Sequence, residues 1–507
     1  MLFNYHPIFA ERLVSALAII SVAICLSLVT SFSIAQTSAS CSPTSPTGGT
    51  CGGEGPATQG NQSNQDQGAG NPINIISGNK YQRELDLPSL PGVLGLEVVR
   101  HYNSQAVDFT GHVGRGWRLS YETEVRRSGN RLQLFQADGT VLQFVCGADT
   151  CKSGRWADGF IRIGTQGYAW QWASSTEAGR VLKFDNNGLL LSIRTAAGFE
   201  LTITREKSGR IHEVVDPQGR KLAFHYPSAQ DLSRNPSRFN GVSAIDTPVG
   251  RIQYTHGSSL TVGLSAAQRA AVVTVGDKSL STAYVTRQSN LIGASLLSGA
   301  QRVYHYESIY PGQASFLTGI SVQPFGKAGT SVEFGSPEVR QSTYLYDEAG
   351  MAVLSTKGAP ARLADTGGLA ATGIEQVRLI RSVQGQTLLL NSLGHYTLYK
   401  HAMIAGQLRI LEAIGSGCAQ CGEVNKRYRF DRAGNLIEAI SLSPTLVTVK
   451  ANGDTVLNKK PSEVNSLFSE RDPLGRVSRV WHKTAEAAKQ LLQTVAYLDK
   501  QIGRAHV

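Results

Sequence analysis

The sequence predicts an all-β fold, built as a long, curling antiparallel ribbon of stacked hairpins. Three observations carry that prediction. A turn signature, Asp/Asn-x-x-Gly, recurs at Asp185–Gly188, Asp216–Gly219, Asp347–Gly350, Asn391–Gly394, Asp431–Gly434 and Asp472–Gly475, with weaker copies at Thr195–Gly198 and Glu206–Gly209. The glycines at 188, 198, 209 and 219 keep a beat of about ten residues, one strand plus one turn. The runs between turns, such as Arg220–Tyr226 and Arg427–Phe430, alternate or are rich in β-branched and aromatic residues. An ordinary β-sandwich with regularly spaced turns is the alternative reading.

Each part of the repeat has a physical reason. The Asp or Asn side chain bonds its own backbone two residues on, and Gly supplies a positive φ without a Cβ clash. A lone hairpin cannot bury its apolar face in water, whereas stacked neighbours can. Asp185, Gly188, Asp216, Gly219, Asp347, Gly350, Asp431, Gly434, Asp472 and Gly475 are therefore read as structural repeat turns.

Taken from the N-terminus, residues 1–35 read as a signal peptide. Arg12 precedes an apolar stretch from Leu13 to Ile34, and Ser33-Ile34-Ala35 sets small residues before a cut at Gln36. An uncleaved membrane anchor is the competing reading, since the stretch is long. Ile24 directly before Cys25 makes a poor lipoprotein site. Residues 36–70 are Gly, Ser, Thr, Gln and Asn with few large apolar side chains, and are expected to be a disordered leader. Order is expected from Asn71. A β-rich N-terminal domain is assigned to 71–150, with Gln136–Gly139 as a hairpin turn, and the repeat region to 151–501. Between 227 and about 300 the beat blurs, and 265–275 reads as a short helix.

Composition agrees. Fifty-three glycines with only 3 Met and 5 Trp among 507 residues suit turn-dense β structure. The formal charge of +11 invites a nucleic-acid reading, but Lys and Arg are scattered in sequence with no basic cluster or recognition helix. Specific nucleic-acid binding is set aside; weak attraction to acidic surfaces is retained. Beyond the signal, six cysteines fall as sequence-local pairs, Cys41/Cys51, Cys146/Cys151 and Cys418/Cys421, suggesting small disulfide staples made in an oxidising compartment. Spacing does not fix their connectivity.

Asn71–Lys80, Leu87–Gly92, Val99–Ser104 and Gly114–Trp117 resemble, in order and spacing, the opening domain of bacterial RHS (YD-repeat) proteins. Tyr304–Glu307, Phe316–Ile320, Tyr344–Asp347, Gly417–Gly422 and Tyr428–Asp431 are similar to that family's repeats. The resemblance covers roughly 71–500, and several copies replace Tyr-Asp by Phe184-Asp185, Phe430-Asp431 or Arg471-Asp472. It implies a hairpin ribbon spiralling into a hollow shell, here partial, behind a small β-rich cap. It further implies that the shell encloses a C-terminal toxin, released by autoproteolysis. Closure would remove exposed strand edges.

The sequence is expected to be C-terminally truncated. It stops within a repeat-like segment, Val495–Asp499, and Ile502–Val507 back-translate to a string matching a common sequencing-library adapter. Residues 502–507 are read as that artefact, with a genuine variable tail as the alternative. Native sequence reading through these codons in source DNA would overturn the artefact reading.

No residues converge on a catalytic pattern. Cys418-Ala-Gln-Cys421 has the spacing of a zinc half-site or a redox dithiol, but lacks a second matched pair and a helix N-terminus, so a disulfide or turn staple is preferred. His395 and His401 are the nearest imidazoles. His101, His212, His225 and His305 fall in predicted strands and His506 in the suspect tail, while Asp216 and Asp472 are explained by their turns. Trp117, Trp156, Trp170 and Trp172 are read as core packing rather than a sugar platform. No catalytic, metal or cofactor site is assigned, and the protein is read as a non-enzyme.

The expected function is an exported RHS carrier, secreted or held at the cell envelope, that forms the cap and first wall section of a toxin-enclosing shell, with the cargo absent from this sequence. Its expected partners are that toxin cargo, and secretion machinery or envelope polymers. A membrane enters only if the N-terminal segment is uncleaved. The alternative is an envelope-associated adhesin or carbohydrate-binding repeat protein. A self-cleaving aspartyl protease would need a C-terminal part not in this sequence.

Overall fold

The computed structural model describes residues 41–45, 48–51, 68–154, 158–172, 180–234, 238–257, 288–307, 311–323, 339–358, 374–418, 421, 424–484, 488–497 and 505–506. All of them belong to one compact unit, Ala39–Val507. The helix expected at 265–275, the apolar stretch at 13–34 and Trp156 lie outside the described residues.

Among the described residues the alternating runs form a single antiparallel sheet of 29 strands, from Glu124–Ser128 to Gln490–Thr494, laid down almost entirely in sequence order. One excursion interrupts it. Leu436–Leu442 pairs directly with Glu463–Arg471, and the hairpin Val447–Val449/Thr455–Leu457 between them instead touches Tyr396 through Val447. The sheet is already under way at Glu124, so it runs unbroken across the 150/151 boundary drawn from the sequence.

Period-two alternation sets which face is buried. Cross-strand pairs such as Leu132 with Phe144, Ile161 with Trp170, Leu182 with Ile193 and Ile245 with Ile252 line one face. They join a core that also contains Tyr102, Trp117, Leu119 and Tyr121 from the N-terminal segment. Trp117, Trp170 and Trp172 are all buried, as core packing requires.

The turns explain the repeat signature. At Asp185 the amide donates to Leu189 O, while Gly188 N donates to Asp185 O. The same two bonds close the turns beginning at Gln136, Thr195, Glu206, Asp216, Leu296, Asp347, Asn391, Asp431, Lys450 and Asp472. Register slips by one residue beside the turn, as between Lys183 and Phe184, Leu345 and Tyr346, and Arg429 and Phe430. This is a tight turn followed by a glycine bulge, which needs positive φ at its last residue. Gly188, Gly219, Gly350, Gly394, Gly434 and Gly475 have φ between +78° and +81°.

Before the sheet, Tyr81–Leu87, Val98–Asn103 and Trp117–Leu119 make a separate three-stranded sheet. Val98–Asn103 is buried at every residue, so it is covered on both faces. A short pair, Gly68–Ala69 with Ile73–Asn74, precedes it. Within the expected leader, Cys41–Ser45 pairs with Gly48–Cys51. The one α-helix among the described residues, Ala229–Arg234, is solvent-facing and is started by reciprocal bonds between Ser228 and Asp231.

Candidate functional site: the seam between the N-terminal segment and the long sheet

Residues 68–123 bond to strands far away in sequence, and that seam is where the polar chemistry concentrates. At its centre Arg100 and Asp86 form a two-point ion pair, Nε to Oδ2 at 2.5 Å and Nη2 to Oδ1 at 2.8 Å, with both side chains essentially excluded from solvent. Tyr254 donates to Asp86 Oδ2 at 2.6 Å, and Arg100 Nη2 donates to the Tyr304 hydroxyl at 2.8 Å. The guanidinium lies about equally far from Trp117, Tyr254 and Tyr304, 5.1–5.2 Å from each ring centre. Burial alone would lower the Arg100 pKa; the adjoining Asp86 carboxylate outweighs it and raises that pKa well above the ordinary value.

Around this pair the bonds continue along the sheet. Tyr102 donates to Ser315 O and accepts from Leu317 N, and Trp117 Nε1 donates to the Tyr306 hydroxyl. Arg302 pairs with the buried Glu84 at 3.1 Å. Lys80, fully buried, donates to Asn71 O, Tyr81 O and Gln82 Oε1 and sits 4.0 Å over the Tyr344 ring; burial lowers its pKa well below the ordinary value. Ala352 N donates to Gly78 O, and a Cβ on Gly78 would stand 2.6 Å from that of Met351. Arg381 reaches Asn74 O and Ile75 O, and Thr387 also bonds Ile75 O.

Two buried histidines on the seam are held neutral. His101 bonds Tyr81 through Nδ1, and burial, with Arg83 adding to it, pulls its pKa well below the ordinary value. Burial likewise pulls His256 down to about 4, against a bond to Val113 O. His112 bonds Glu122 through Nδ1 at 2.6 Å, and its Nε2 accepts from Ile211 N.

The residues singled out in the sequence are placed plainly. Oδ1 of Asp185, Asp216, Asp431 and Asp472 accepts the amides two and four residues on, and Oδ1 of Asp347 accepts from Met351 N. Oδ2 of Asp216 and of Asp472 is held by Arg220 and Arg476. None of these carboxylates converges with another. Cys146 is bonded to Cys151 and Cys418 to Cys421, with S–S distances of 2.07 and 2.12 Å; Cys41 faces Cys51 in the short leader ladder. His212, His225 and His305 lie in strands of the long sheet and His101 in the three-stranded one. Among the described residues no group of three His, Cys, Asp or Glu could hold a metal, and no helix is long and apolar enough to cross a membrane.

Sequence reasoning passed over Arg100, Asp86 and Tyr254. Their signal was faint: charged residues inside strands, Glu84-Leu-Asp86 and Val99-Arg-His101, where alternation alone puts them at a surface. Chemically the seam is an adhesive. Asp86 answers Arg100 and Glu84 answers Arg302, while Lys80 is met by Asn71 O, Tyr81 O and Gln82 Oε1.

Residues 70–144 match a protein family described as a domain of unknown function, DUF6531. No curated protein matches the chain. Solved structures give low overall similarity. A Photorhabdus luminescens Tc holotoxin pore with a mutated TccC3 aligns with TM-score 0.29 and 10% identity, covering 83% of this chain and 23% of that one. A TcdB2-TccC3-Cdc42 crystal structure gives 0.22 and 9%, covering 86% and 28%. The chain thus spans about a quarter of the length of the solved chains it matches.

Proposed function

We propose that this chain is a non-enzymatic, exported carrier of the RHS type, whose long sheet forms a wall section and whose N-terminal segment caps it. The observation that carries the reading is the seam. Among the described residues a 29-strand sheet has one face packed and hydrogen-bonded by residues 68–123, from Arg205 and Ile211 to Thr387. A segment that ties down so many strands at once fixes the curvature of an otherwise deformable ribbon. The family match at 70–144 falls on the stretch whose residues resemble the RHS opening domain. In this reading the cargo is a C-terminal toxin, and the mechanism is containment: a β wall keeps water and proteases from the cargo until delivery.

The test is the complete downstream reading frame. Further Asp-x-x-Gly repeats leading into an effector, next to an immunity gene, support the carrier. So does protection of that effector from added protease in the whole protein. A natural stop without any effector, or an effector digested as fast as a free one, overturns it.

A further inference from the structure

Most cations on the solvent face of the long sheet are answered by a carboxylate on a neighbouring strand or turn. Lys183 pairs with Glu200, Lys221 with Glu213, Arg251 with Asp246, Lys357 with Glu375, and Lys400 and Arg427 with Glu412. Strands 124–164 break that pattern. Arg131 lies opposite Val145, which lies opposite Lys152; two residues along, Thr150 lies opposite Arg162. Their neighbours Leu132, Phe144, Cys151 and Ile161 point to the core, so Arg131, Lys152 and Arg162 share the opposite face, and all three are exposed. None of the three has an ion pair among the described residues. Arg131 and Lys152 are two strands apart, roughly 10 Å. Arg126 extends the patch, partly neutralised by Glu124, which also binds Arg118. Asp149, next along the chain from Thr150, accepts from that residue's hydroxyl.

We propose that this face docks a linear anionic polysaccharide bearing carboxylates. Three features select that partner. Arg131 and Lys152 share one row across strands and Arg126 and Arg162 lie two residues to either side of it, so a chain laid obliquely across the sheet meets several cations in turn. Gln133 and Gln143, paired with each other beside Arg126 and exposed, offer amides to hydroxyl groups. The nearby phenyl faces are capped, Phe135 by Arg126 at 4.7 Å and Phe160 by Arg162 at 5.4 Å, which removes the free aromatic platforms that single-stranded nucleic acid stacks on. Lipid docking would call for several inserted apolar side chains, and here Val145 stands alone. The proposal concerns the solvent face and holds whether or not the chain encloses a cargo.

The test uses the full chain on immobilised polygalacturonate, with neutral dextran, a single-stranded oligonucleotide and phosphatidylglycerol vesicles as parallel probes. Polygalacturonate binding should weaken steeply with salt, and dextran should not bind. The variant Arg131→Ser/Lys152→Ser/Arg162→Ser should bind at least tenfold more weakly with a shallower salt dependence, while unfolding at the same temperature as the parent. Lys459→Ser/Lys460→Ser, removing two exposed lysines elsewhere, should change binding less than twofold. Equal binding by parent and triple variant, no binding at low salt, or tighter binding to the oligonucleotide or the vesicles overturns the proposal.

Discussion

Asp86 and Arg100 show what a buried charge is for in this molecule. Removing one partner leaves the other ionised and unsolvated, so Asp86→Ala should destabilise the fold by about 3–5 kcal/mol. Asp86→Leu combined with Arg100→Met should cost much less, because no orphan charge remains. Equal losses for the single and double variants in denaturant titrations would count against this. The turn glycines make a graded series. Gly219 has open space around a built Cβ, so Gly219→Ala should cost only the left-handed backbone term, about 1–2 kcal/mol. At Gly350 the added atom meets Phe316 at 2.9 Å, and at Gly188 it would sit 1.9 Å from the Val125 carbonyl oxygen. The predicted order of damage is Gly188→Ala, then Gly350→Ala, then Gly219→Ala, readable from thermal midpoints.

At the scale of elements, the seam responds to acid through its buried histidines. His256 ends the strand Gly250–His256 and faces Val113 O and Phe239, with Arg100 and Arg238 adding positive charge nearby. Its folded pKa, about 4, lies below the ordinary 6.5, so between those values the unfolded chain binds the extra proton. Its contribution to stability is therefore complete above about pH 6.5 and is lost as pH falls towards 4. His101 and His401 shift in the same direction. Melting temperature should fall over that window, and His256→Gln should flatten the fall; an unchanged pH profile in that variant would refute the assignment. The turns themselves were legible residue by residue, since Asp-x-x-Gly demands local bonds that need no distant partner. The three-stranded sheet was not, because its charged strands break the alternation that marks a half-buried strand.

For the molecule as a whole, stability should be close to a sum of neighbour interactions along the sheet, with the seam as the long-range exception. Among the described residues, the strand Gln490–Thr494 has no further partner on its far side in that sheet, and Leu467, Leu491 and Leu492 are each about half exposed, at 49%, 45% and 53%. An unpaired edge beside exposed leucines is a template for association. The isolated chain should self-associate, and Leu491→Gln/Leu492→Gln should raise the monomer fraction in sedimentation; a monodisperse parent would refute this.

The sequence by itself determined the all-β class, the ten-residue beat, the turn chemistry at Asp185, Asp216, Asp347, Asp431 and Asp472, and the core role of Trp117, Trp170 and Trp172. Those follow from interactions within a few residues or from period-two burial. Only the tertiary structure decided that residues 68–123 reach strands hundreds of residues away and that Arg100 meets Asp86, Tyr254 and Tyr304. It also brought Arg131, Lys152 and Arg162, scattered along the chain, onto one face. The reason is strand register: side chains separated in sequence become neighbours only once adjacent strands are paired.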